Sequence, residues 1–150
     1  MFPPSWHDRP IISTADSHGA LEHPSRSIIG PGGVAVHEIY RYEFIESAQH
    51  EYGRQLDILF PDTQYYDKWH PREDLQTALT FADESHVACA NRKLLSGGTV
   101  INCRMLARYQ EYVVRFSTQV VPPYLTFEDL AGIFKNLDDK FASAVGARNP

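Results

Sequence analysis

Cys89 and Cys103 are spaced so that a hairpin between them brings the two thiols face to face. The segment from Ser85 to Asn91 runs into Leu94-Leu95-Ser96-Gly97-Gly98, a turn signal, and Thr99 to Met105 reads as the returning strand. With the turn centred on Ser96, each cysteine stands seven positions from the centre, so the two are directly opposed. Opposed residues of an antiparallel pair have Cβ atoms roughly 4.5–5.5 Å apart, and a disulfide needs only slightly closer approach. Two half-buried cysteines on one strand face also serve as small hydrophobic packers, so spacing leaves both states open.

Other chemistry-bearing residues are more scattered. The chain has seven histidines. His37-Glu38 and His50-Glu51 repeat a dipeptide, but neither extends to His-Glu-x-x-His, the zinc-protease spacing. His7, Asp8, Asp16, His18 and His23 lie in an N-terminal stretch that does not preorganise ligands, so no metal site is expected there. No Gly-x-Ser-x-Gly elbow, phosphate loop or dinucleotide fingerprint appears, and no cofactor is expected. Gly30-Pro31-Gly32-Gly33 precedes a strand, whereas a phosphate cradle leads into a helix. His86, three positions before Cys89, falls on the opposite side of a strand and so does not pair with it as a catalytic base. Asp138-Asp139 reads as a solvated helix face.

The segment Tyr65-Tyr66-Asp67-Lys68-Trp69-His70 concentrates recognition chemistry. Aromatic rings with polar tips give large contact area and hydrogen bonds at low entropic cost, so Tyr65, Tyr66, Trp69 and His70 form the candidate contact set for a ligand or partner. The competing reading makes these rings a lid that closes one end of a sheet.

The elements that would position these groups follow from periodicity. Residues 1–33, with Pro3, Pro4, Pro10, Pro24 and Pro31, read as an extended arm or linker, and residues 34–148 as one domain. From Val34 to Phe44 apolar and polar residues alternate, which predicts a half-buried strand with His37 on the outward side. Ile45, Ala48, Tyr52, Leu56 and Leu59 recur at helical spacing, with Ser47 available as N-cap and Pro61 as terminator. Residues 62–80 read as a long loop with one helical turn, Pro71 at its first position. After the cysteine hairpin, Tyr112, Val114, Phe116, Thr118 and Val120 predict an inward strand face, joined to the preceding strand through Gln110-Glu111. Thr126 to Asp129 resembles a capping box with Asp in the Glu/Gln place. Leu130, Ile133, Phe134, Leu137, Phe141 and Val145 then predict an amphipathic helix ending at Gly146. Strand, helix, loop, three strands, helix makes an α+β fold, an antiparallel sheet with helices packed on it.

Composition narrows the partners. With 14 basic and 19 acidic residues the formal charge is −5, and no Lys/Arg-rich run offers a nucleic-acid footprint. No apolar run reaches the ~20 residues of a transmembrane helix. Met1 to Trp6 has neither the basic nor the apolar region of a signal peptide, which leaves a cytoplasmic chain or one whose export segment has been removed.

The C-terminal half resembles small exported bacterial α+β domains of the lipoprotein type. The residues that carry this are Asp83-Glu84-Ser85, Cys89, Cys103 to Tyr109, Tyr112 to Phe116, Leu125 to Leu130 and Leu137-Asp138. The resemblance implies an extracytoplasmic module and brings no catalytic residues. The first expectation is therefore a non-enzymatic extracytoplasmic domain that binds a small molecule or a protein. Two alternatives stand beside it. One is a small cytoplasmic enzyme with a pocket between sheet and helices, His37 or His86 acting as base. The other is an inhibitory or interaction module working through its sheet edge.

Overall fold

A computed structural model describes residues 7–10, 19–30 and 33–148, with the backbone alone for 7–10, 147 and 148. The chain order is β1 (His7–Pro10), β2 (Ser25–Gly30), β3 (Gly33–Arg41), α1 (Ile45–Leu59), β4 (His70–Pro71), α2 (Glu73–Gln76), β5 (Glu84–Lys93), β6 (Thr99–Tyr109), β7 (Tyr112–Val120) and α3 (Phe127–Arg148). The strands form one sheet in the order β1-β2-β3-β7-β6-β5-β4, antiparallel throughout. The α+β architecture expected from the sequence is the one observed.

The β5–β6 hairpin has the anticipated register. Glu84 opposes Arg108, and Cys89 opposes Cys103, whose sulfurs lie at bonding distance, 2.02 Å. Leu94 N–H donates to the Gly98 carbonyl, and Gly97 takes φ +92°, a conformation that glycine reaches without a Cβ clash. At the other end Tyr109 opposes Tyr112 across Gln110-Glu111. Gln110 has φ +52°, and its strain is offset by its N–H bond to Asp83 Oδ2 at 2.6 Å and by Arg108 Nη1 donating to its carbonyl at 3.0 Å.

Both faces of the sheet are covered. On one, α3 buries Leu130, Ile133, Phe134, Leu137 and Phe141 against Cys103, Met105, Ala107, Val114 and Phe116. On the other, Ala48, Tyr52 and Leu59 of α1 meet Tyr40, Leu106 and Val113. The result is a three-layer sandwich. α3 opens with the expected capping box: Thr126 Oγ1 accepts from Asp129 N–H at 3.1 Å, and Asp129 Oδ2 accepts from Thr126 N–H at 2.9 Å. The helix continues past Gly146 to Arg148.

Several details differ from expectation. The stretch read as an arm contributes β1 and β2 to the sheet, with Ile28 buried in the main core. Short strands between prolines offer too few residues for an alternation to register, and Pro10 and Pro24 fall at strand ends or outside them, where a missing N–H breaks no central ladder. Ser47 is not the cap of α1; the helix begins at Ile45 after Phe44, without a side-chain cap. Its buried stripe is Ala48, Glu51, Tyr52, Gln55 and Leu59, while Ile45 and Leu56 are exposed. Glu51 and Gln55 occupy core-facing positions because Glu51 accepts from Gln55 Nε2 at 2.7 Å and from Arg54 Nε at 2.9 Å, satisfactions that a hydrophobic pattern cannot reveal. Pro71 closes β4 rather than opening a helix. Asp138 is buried, not solvated.

Candidate functional site

The aromatic segment lies along the outer edge of β5. Lys93 N–H donates to Tyr65 O at 2.8 Å, Asp67 N–H to Asn91 O at 3.0 Å, and Arg72 N–H to Val87 O at 2.8 Å. His70 opposes Cys89 in the short strand β4. Backbone pairing of this kind covers an edge that would otherwise expose open N–H and C=O groups. Asp67 reinforces it by accepting from the Asn91 backbone at 2.8 Å and side-chain amide at 2.9 Å, bonds that lower the Asp67 pKa.

The four side chains divide into two pairs. Trp69 is buried and donates from Nε1 to the Pro61 carbonyl at 3.1 Å. Its ring lies 5.5 Å from Phe60 and 5.1 Å from Tyr66. Arg104 stands over both, its guanidinium 5.0 Å from the Trp69 ring and 5.3 Å from the Tyr66 ring, and donates to Tyr66 Oη at 3.1 Å and to the Leu59 carbonyl. Tyr65 and His70 are exposed. The structure therefore brings Tyr66 and Trp69 together and leaves Tyr65 and His70 apart from them. A depression of about 560 Å³ beside the loop is lined by Asp62, Thr63, Gln64, Tyr66, Asp67 and Lys68. All but Tyr66 are exposed, so a ligand there would remain largely in water.

A different cleft has the form of a ligand site. It measures about 450 Å³ and lies between α3 and the sheet end formed by β2, β3 and β7. Small-molecule pockets run to roughly 300–1,000 Å³, mostly apolar with few convergent polar groups. Here Ile28, Ile39, Phe116, Ile133, Leu137 and Phe141 supply the apolar walls. Pro24, Arg26, Lys140 and Ala144, all exposed, form the mouth. The cleft exists because the sheet extends through β2 beyond the width that one helix covers.

His37 and Ser25 are the polar residues inside, and His37 brings the titratable group. The alternation along β3 places it on the outward side, but β3 is covered on both faces, and His37 turns toward α3 with Phe116, 6.3 Å between ring centroids. Its Nε2 is buried with no hydrogen-bond partner among the described residues. Burial, then the charges of Arg26 and Lys140, lower its pKa from 6.5 to about 4. The folded protein thus holds His37 neutral while the unfolded chain takes up a proton as pH falls below 6.5. This contribution to stability is fully present above that pH and is lost as pH falls toward 4, about 3 kcal/mol across the window. Urea titrations at several pH values should show a shallower slope in His37→Gln than in the parent between pH 6.5 and 4. Equal slopes would mean that His37 protonates freely in the folded state.

Other polar groups are less suited to hold a ligand. His86 packs edge-on against Phe60, ring centroids 4.8 Å apart, and burial lowers its pKa. On the α1 face Glu38 lies 3.4 Å from Arg115 Nε and 3.7 Å from His23 Nε2, while His23 stacks on Tyr40 at 3.9 Å. The Glu38 carboxylate thus already faces the Arg115 guanidinium. Asp16 and His18, and the side chains of His7 and Asp8, lie outside the described residues. Among the described residues no group of three or more His, Cys, Asp or Glu is arranged to hold a metal, and no helix is long and apolar enough to cross a membrane.

Sequence reasoning missed this cleft because its walls come from four separate segments, with Arg26 and His37 meeting only through the β2–β3 register. A usable signal was present: His37 shares its strand face with Ala35 and Ile39, two positions to either side, in a strand that both helices had to cover. No protein-family model, curated protein or solved structure matches this chain.

Proposed function

We propose that this chain is a non-enzymatic, extracytoplasmic binding domain that holds a small molecule in the cleft between α3 and the β2–β3–β7 end of the sheet. The observation that carries this is the cleft itself, about 450 Å³ with apolar walls and a mouth open to solvent. The extracytoplasmic setting is supported by the direct opposition of Cys89 and Cys103 across β5 and β6, since disulfides persist mainly in oxidising compartments. The resemblance to exported lipoprotein-type domains points the same way.

One observation favours the alternative of a small enzyme: His37 faces the cleft rather than solvent. A general base works best with a pKa near the operating pH. A value of about 4 describes a poor base at neutral pH. Binding is the better supported reading.

The test is titration with N-phenylnaphthylamine, a neutral probe that fluoresces in apolar surroundings. The parent protein should bind it saturably at one site. Ala144→Trp sets an indole at the mouth from an exposed helix position and should weaken binding at least tenfold at unchanged thermal stability. Equal binding by the parent and the variant would remove the cleft from the account.

A further inference from the structure

The distribution of charge around the cleft says what kind of molecule fits it. The chain as a whole carries 19 acidic and 14 basic residues, so an unselected patch of surface would hold at least as many carboxylates as cations. Among the described residues the lining of the cleft inverts this: it includes Lys140 and Arg26 and no acidic residue. The two come from opposite walls, Arg26 from β2 and Lys140 from α3. Arg26 is paired directly with His37 across the β2–β3 ladder, which puts their Cβ atoms roughly 5 Å apart. Lys140 has no ion-pair partner among the described residues, in contrast to Lys135, which pairs with Asp139 at 3.1 Å. His37 adds an imidazole whose buried Nε2 is unsatisfied among the described residues, at a position where a buried polar atom ordinarily has a partner.

A cationic group at the mouth above largely apolar walls makes the two halves of one recognition problem. An apolar body fills the space between Phe116, Ile133 and Phe141, and a charged head remains at the rim where Lys140 stands. We infer that the ligand is an amphipathic anion: a hydrocarbon chain or ring system of modest size with a single carboxylate, sulfonate or similar oxyanion head. The inference rests on the cleft being the binding site and adds the class of molecule it selects. Charge-assisted hydrogen bonds are roughly twice as strong as neutral ones, so the head determines which of several equally apolar molecules is retained. The apolar body determines whether any of them is retained.

The experiment compares three ligands with the same eight-carbon chain: octanesulfonate, octanol and octyltrimethylammonium. Each is titrated into the protein while backbone amide resonances are followed. Octanesulfonate should bind about tenfold more tightly than octanol, and octyltrimethylammonium more weakly than either. All that bind should shift the amides of Ile28, Ile39 and Ala144. Lys140→Glu reverses one charge at an exposed site and should weaken octanesulfonate about fivefold while leaving octanol unchanged. If octanol and octanesulfonate bind within twofold of each other, or Lys140→Glu leaves both alone, the charge inference fails and the cleft remains a binding site. If no ligand shifts those amides, the cleft itself is excluded and the inference falls with it.

Discussion

Replacing Asp138 by alanine is expected to cost about 3–5 kcal/mol, more than most single substitutions in a domain of this size. The side chain is 1% exposed. It accepts from Thr80 N–H at 2.9 Å, Thr80 Oγ1 at 3.2 Å, Phe81 N–H at 3.0 Å and Tyr109 Oη at 2.8 Å. Burial, followed by the hydrogen bond to Asp138, raises the Tyr109 pKa, so its hydroxyl stays protonated and donating. One carboxylate thereby ties the loop after α2 to α3 and to the end of β6. Alanine leaves two backbone N–H groups and a phenol without a partner in a low-dielectric setting. Asp138→Asn keeps an acceptor for the loop and should lose less. Asp139→Ala, at an exposed i,i+4 pair with Lys135, should change stability by less than about 0.5 kcal/mol. Urea midpoints at constant slope give the three values. A loss below about 1 kcal/mol for Asp138→Ala would show that the carboxylate is dispensable.

Trp69→Ala should cost a similar amount, about 3–5 kcal/mol, through lost contact and the cavity left behind. The indole is 8% exposed and joins Phe60, Tyr66 and Arg104 into one stack over Ala88 and Ala90. Burial among these rings lowers the Arg104 pKa, and removal of the indole would leave that guanidinium without one of its two aromatic faces. Tyr65→Ala, at an exposed site on the same segment, should fall within about 0.5 kcal/mol of the parent. Conditions that keep Trp69→Ala folded should leave N-phenylnaphthylamine binding intact. Loss of binding at full stability would instead return the recognition site to the aromatic loop, where residue chemistry alone first places it.

The contrast between these two regions shows what a sequence can and cannot express. Turn chemistry is local, so Ser96-Gly97-Gly98 and the seven-residue arms on either side settle the opposition of Cys89 and Cys103. Helix signals are local too. The apolar stripe of α3 and the Thr126–Asp129 box are both found where spacing puts them. Side assignment along β3 is not local, because inward and outward have meaning only if one face of a strand is wet. With α1 on one face and α3 on the other, His37 and Tyr40 lie on opposite faces and are both covered. Polar residues in a core stripe are equally silent. Glu51, Gln55 and Asp138 look solvated until their partners, some more than fifty positions away, are brought beside them. Aromatic density drew attention to Tyr66 and Trp69 for a reason that packing satisfies. The cleft drew none, since no single segment contains it.

The measurement that most directly tests the account is an amide chemical-shift map of the parent protein titrated with N-phenylnaphthylamine. The shifts are expected at residues 24–28, 37–39 and 133–144, the walls and mouth of the cleft, with residues 62–70 unmoved. Shifts confined to residues 62–70 would contradict it and assign binding to the segment that covers the edge of β5.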